Sequence, residues 1–227
     1  CQIVIDASSS MQYPYLAYDQ PGWNKMRFSV LAAASIMNLL RKQRDSFGLS
    51  IFDDQLRVHT PCKSSHTHYS LMLTHLEQLI RQPHLQKTTS AAQALHQIAD
   101  SIHKRSMVII FSDMLESGSE EEIFSALQHL KHNKHEVVLF HVLDHDKELD
   151  FSFDNRPYMF IDMETDERIK LRPNEVRKAY LEHMSEFYDR LKMKCLQYQI
   201  DFVEADQKMG FGPILQAFLV RRGKMAV

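Results

Sequence analysis

The sequence predicts an α/β domain with a mostly parallel sheet and helices on both faces, and three apolar runs with a common ending predict it. Ile3-Val4-Ile5, Met107 to Phe111 and Glu136 to Leu143 stop at or next to a carboxylate, namely Asp6, Asp113 and Asp144. Strands buried on both faces read as near-continuous apolar runs of this kind. Segments of helical period lie between them, and strands alternating with helices imply parallel pairing through right-handed crossovers. Asp6, Asp113 and Asp144 then share one sheet edge, just past the carboxyl ends of strands, where open α/β sheets bind ligands.

In chain order, the opening strand runs into a Tyr-, Pro- and Gly-rich loop from Gln12 to Trp23. Asn24 is placed to cap a helix from Lys25 to about Gln43, apolar on most of its surface through residues such as Phe28, Val30, Ile36 and Leu40. Gly48 to Phe52 and Leu56 to His59 flank the turn signal Asp53-Asp54-Gln55 and read as a hairpin whose second strand is an antiparallel edge. Periodicity predicts helices from about His68 to Arg81, from Thr89 or Ser90 to about His103, and from Glu120 to His132. Residues 149–171 change to short alternating pieces and read as an inserted hairpin. Pro173 suits the first turn of a long helix to about Tyr198 with a core stripe of Val176, Tyr180, Met184, Phe187 and Leu191, before a last strand, Ile200 to Val203, and a last helix, Gly212 to Val220.

The 227 residues suit one domain, 1–227, without repeats or a linker. Because the chain begins inside a strand, an N-terminal part of the full-length protein is expected to precede it. With 27 basic against 29 acidic residues and no run of like charge, neither nucleic acid nor an anionic membrane is an expected partner. No segment reaches the ~18 uninterrupted apolar residues of a membrane helix. Cys1, Cys62 and Cys195 are odd in number and widely separated, which predicts reduced thiols and a cytoplasmic setting.

Asp6, Ser8 and Ser10 fall at a spacing of two, so in an extended or tightly looped backbone their oxygens can converge. The same residues also make an ordinary turn, since Ser and Asp hydrogen-bond nearby backbone in loops. Asp113 brings a second carboxylate to that sheet edge, and Thr89 brings a hydroxyl from the start of a helix. These are hard oxygen donors of the type Mg2+ takes, few carboxylates plus neutral oxygens and water. A shell this neutral leaves part of the ionic charge uncompensated, which suits the site to gripping a partner's Asp or Glu. His141, Asp144, His145 and Asp146 cluster in sequence, yet His141 and His145 stand far apart on an extended segment, so a second metal site is not expected there. There is neither a G-x-S-x-G elbow nor a Gly-rich phosphate loop.

Asp6-Ala7-Ser8-Ser9-Ser10-Met11, Thr89 with Ala94-Leu95 after it, and Ile110-Phe111-Ser112-Asp113 together resemble the metal-ion-dependent adhesion site of von Willebrand factor A domains, a Rossmann-like fold. Val142-Leu143-Asp144 with Glu148, Asp162-Met163-Glu164-Thr165 and Val176-Arg177-Lys178-Ala179-Tyr180 narrow the resemblance to the bacterial domain-of-unknown-function family fifty-eight. Two features depart from the pattern. Lys87-Thr88 stands where glycine usually precedes the site threonine, leaving Thr88 as a rival to Thr89, and the family's signature segment would lie upstream of Cys1.

The expected function is a non-enzymatic, metal-ion-dependent protein-interaction module, with Asp6, Ser8, Ser10, Thr89 and Asp113 as ligands of magnesium or another divalent cation. The resemblance implies a MoxR-type AAA+ ATPase as partner. One alternative is a metal-dependent hydrolase with Asp144 or Glu116 as general base, and another is a degenerate scaffold without an ion.

Overall fold

The apolar runs are the central strands of a sheet in the computed structural model, which describes residues 1–81, 91–115, 119–162, 167–212, 215–216 and 219. The strands are β1 (Gln2–Asp6), β2 (Gly48–Phe52), β3 (Leu56–His59), β4 (Met107–Ser112), β5 (Glu136–Leu143), β6 (Tyr158–Ile161), β7 (Arg168–Leu171) and β8 (Asp201–Asp206). The helices are α1 (Lys25–Lys42), α2 (His66–Arg81), α3 (Ala91–Ser101), α4 (Glu120–His132) and α5 (Pro173–Gln197). Six strands form one sheet in the order β3-β2-β1-β4-β5-β8, all parallel except β3, which turns back antiparallel on β2. β6 and β7 form the expected separate hairpin.

Strand alternation divides the core into two layers. Ile3 and Ile5 of β1, Ile109 and Phe111 of β4, and Val138 and Phe140 of β5 pack with Phe28, Met37, Met72 and Leu76 of α1 and α2. Val4, Ile110 and Leu139 pack with Leu95, Leu127 and Leu191 of α3, α4 and α5. Both faces of the sheet are therefore covered, which is why its strands could be apolar on both sides. The Asn24 carboxamide caps α1 by accepting from the Arg27 backbone N–H at 2.8 Å. Asn24→Ala is expected to cost about 1 kcal/mol, read as a lower denaturation midpoint at unchanged m-value.

Three expectations need adjustment. The stripe on α5 is core only in its second half, where Phe187 and Leu191 are buried, whereas Val176, Tyr180 and Met184 are half-buried. The final strand runs on to Asp206, because pairing with β5 continues through Leu143. A π-helical turn, His145–Leu149, follows β5 where the sequence showed no helical signal. The last helix falls mostly outside the described residues.

The chain leaves β1 toward β2 on one side and returns as β4 on the other, so strand order reverses between β1 and β4. That reversal opens the crevice in which open α/β sheets bind ligands, and Asp6 and Asp113 stand at its rim.

Candidate metal centre

Asp6 closes β1 and is 1% exposed. Its Oδ1 accepts from the Ser8 backbone N–H at 2.9 Å and its Oδ2 from Ser112 Oγ at 2.6 Å. The first bond folds the chain back at once, and Ser9–Gln12 complete a 3-10 turn. Of the two geometries allowed by the spacing, the structure takes the tight loop. Ser8 Oγ and Ser10 Oγ lie 3.1 Å apart, with Ser8 buried and Ser10 half-buried at the rim.

Asp113 follows β4 and is also 1% exposed. Its Oδ1 accepts from the Leu115 backbone N–H at 3.1 Å. Met114 between them sits in the left-handed region at φ 53°, a conformation that strains a non-glycine residue and turns the chain sharply after β4. The imidazole of His141 donates from Nε2 to the Asp113 carbonyl at 2.9 Å. Burial pushes the His141 pKa down to about 4, so the ring is neutral. It secures the Asp113 backbone and, among the described residues, belongs to no metal-ligand cluster.

The sequence reading missed the ion-paired side chains of the site, Lys25 and Glu148. Lys25, read only as the start of α1, is fully buried, and its Nζ lies 2.6 Å from Asp113 Oδ2 and 2.6 Å from Glu148 Oε1. Glu148 comes from the π-helical turn and accepts through its other oxygen from the Asp144 backbone N–H at 2.8 Å. Burial acts to lower the Lys25 pKa, but Asp113 and Glu148 outweigh it and hold the ammonium above its ordinary value. A signal was available: Lys25 opens a helix with no acidic residue in its first turn, where the helix dipole disfavours a cation. A lysine at that position has an anion elsewhere to meet.

Asp144 shares the edge but is committed. Its Oδ1 faces Lys208 Nζ at 2.8 Å and its Oδ2 accepts from Gln207 Nε2 at 3.0 Å. Of the sequence cluster around it, His145 and Asp146 join Asp150 on the surface, apart from His141. Thr89, its rival Thr88 and Glu116 lie outside the described residues.

Two features test whether these residues suit a small divalent cation. An octahedral ion with bonds of about 2.1 Å holds neighbouring ligands about 3 Å apart, the separation of the Ser8 and Ser10 hydroxyls. Among the described residues, Asp6, Asp113 and Glu148, when all are ionised, bring three carboxylates against the ammonium of Lys25, an excess of two negative charges in a buried region. Asp6 registers that excess: burial first, then the charge of Asp113, raise its pKa to about 7 against the hydrogen bonds from Ser112 and Ser8. The donor set fits such an ion. The ion's part would be to polarise and accept an anionic ligand at the rim, while Asp6 and Asp113 supply charge and Ser8 and Ser10 neutral oxygens.

The strand order, the hydroxyl loop after β1 and the carboxylate after β4 define a von Willebrand factor A-like domain. More particularly, the chain belongs to the DUF58 family of proteins of unknown function, whose model matches residues 1–187. Comparison with curated proteins finds no match. Among solved structures it is similar to the conserved hypothetical protein BatB of Bacteroides thetaiotaomicron, with 15% identity, a TM-score of 0.57 and coverage of 99% of this chain and 97% of that one. An aerotolerance-related membrane protein of Bacteroides fragilis is similar at 15% identity and a TM-score of 0.56, covering 95% and 94% of the two chains. The pilus adhesin SpaC of Lactobacillus rhamnosus GG matches at 12% identity and a TM-score of 0.51, covering 98% of this chain and 29% of the adhesin. At these identities the likeness is one of fold. Among the described residues no helix is long and apolar enough to cross a membrane.

Proposed function

We propose that this chain is a metal-ion-dependent protein-interaction module that holds magnesium, or a similar divalent cation, through Asp6, Ser8, Ser10, Asp113 and a threonine before α3, Thr89 by the family pattern. The rim position of Ser10 leaves room for a partner's Asp or Glu to complete the shell. The observation that carries the reading is the buried excess of two negative charges beside a hydroxyl pair at the ligand spacing of an octahedral ion. The partner proposed from the family resemblance is a MoxR-type AAA+ ATPase, met in the reducing cytoplasm that three free cysteines suit.

The module acts by binding and not by turnover. The one described candidate for a general base, Asp144, has both carboxylate oxygens engaged by Lys208 and Gln207, which supports a non-catalytic role. One observation favours a second reading, a scaffold that holds no ion: the Lys25 ammonium already touches Asp113.

Titration calorimetry with magnesium and a chelator-controlled pull-down against the host's MoxR-type ATPase test the proposal. Saturable magnesium binding and chelator-sensitive capture are expected. A flat titration selects the ion-free scaffold, and phosphatase or esterase turnover abolished by Asp6→Ala selects the hydrolase.

A further inference from the structure

The proposed function counts the charge of Lys25 but assigns the residue no role. A fully buried lysine is expensive unless it is paired and hydrogen-bonded, and here both partners are carboxylates at 2.6 Å, one at the site and one on the π-helical turn. The geometry points to Lys25 as a positioning residue that sets the charge, and so the valence preference, of the metal centre, with Glu148 as the counterweight that moderates it. This rests on the proposed metal site.

Asp113 has one oxygen on the Leu115 N–H and the other on the ammonium. A cation approaching Asp6, Ser8 and Ser10 therefore meets an Asp113 carboxylate already partly neutralised by a fixed positive charge. Glu148 divides that charge: its Oε1 takes the ammonium while its Oε2 is fixed by the Asp144 N–H, so Glu148 cannot swing away without breaking a second bond. With both in place, the three carboxylates and one ammonium among the described residues leave the excess that one divalent ion balances. Without Lys25 the excess becomes three negative charges, and without the Glu148 charge it becomes one. The two residues touch each other, yet their removal should move cation affinity in opposite directions. A role confined to holding the fold together would weaken binding in both variants, because each loss loosens the same cluster.

The test compares magnesium and terbium affinities of the wild type, Lys25→Met, Glu148→Gln and Glu148→Asp by calorimetry and terbium luminescence. Lys25→Met should bind magnesium roughly tenfold more tightly and Glu148→Gln roughly tenfold more weakly, a modest charge effect for a partly buried site. The ratio of terbium to magnesium affinity should rise in Lys25→Met and fall in Glu148→Gln, and Glu148→Asp should stay near wild type. Should Lys25→Met fail to fold, Glu148→Gln and its rescue by Glu148→Asp still decide the matter. Affinities that move in the same direction, or a terbium-to-magnesium ratio unchanged in Glu148→Gln, overturn the role of Lys25 while leaving the metal site standing. A wild type that binds neither ion overturns both.

Discussion

Asp6→Asn is expected to raise the melting temperature of the metal-free protein at pH 8 by several degrees while lowering magnesium affinity at least a hundredfold. The Asp6 pKa stands at about 7 in the folded chain, against 3.8 for the ordinary group, because burial and then the charge of Asp113 penalise its ionised form. The folded protein therefore holds a proton that the unfolded chain releases between about pH 4 and pH 7, and stability falls as pH rises through that window. The stabilisation is complete below about pH 4 and is lost above pH 7, with a cost of up to about 4 kcal/mol at pH 8. Asparagine keeps the acceptor for the Ser8 N–H and removes the charge, so the gain should be full at pH 8, fall to less than half at pH 5 and nearly vanish below pH 4. Saturating magnesium should reverse the ranking, because only the wild type is stabilised by the ligand. A variant that melts below the wild type by the same margin at both pH values without metal would sink this account.

Asp113→Ala should also abolish magnesium uptake, but with the opposite effect on the metal-free fold. Its carboxylate is the nearer-buried of the two that neutralise the Lys25 ammonium, and Lys25 is completely enclosed. Breaking one side of a buried ion pair costs about 3–5 kcal/mol, which for a chain of this size lowers the melting temperature by about 10 °C. Thermal melts of the two variants without metal at pH 8 provide the check. Among the described residues Asp6 is the carboxylate without a cation partner, and Asp113 is the one that has one. If both variants shift the melting temperature in the same direction, the division of charge between the two carboxylates is wrong.

Much of the fold was legible because its causes are local. Glu120–His132 and Glu136–Leu143 are recovered residue for residue, since an amphipathic period and an apolar run flanked by polar residues are complete within each segment. The π-helical turn His145–Leu149 was not legible, and its contacts show why. It is held by Glu148 on Lys25 and by Asp146 on Lys208, partners brought by α1 and by the turn after β8. The half-exposure of Tyr180 was equally hidden, because Phe151, the ring that packs on it, comes from another segment.

By itself the sequence determined where strands end and which oxygens stand there: Asp6, Ser8 and Ser10 lie within five residues, and Asp113 directly follows its strand. Only the tertiary structure decided the charge of the place. The ammonium of Lys25 reaches Asp113 across 88 residues of chain and Glu148 across 123. No periodicity or spacing encodes a pairing over such distances. Burial enforces it, because an ammonium carried into the interior by α1 must find carboxylates there or cost the fold several kcal/mol.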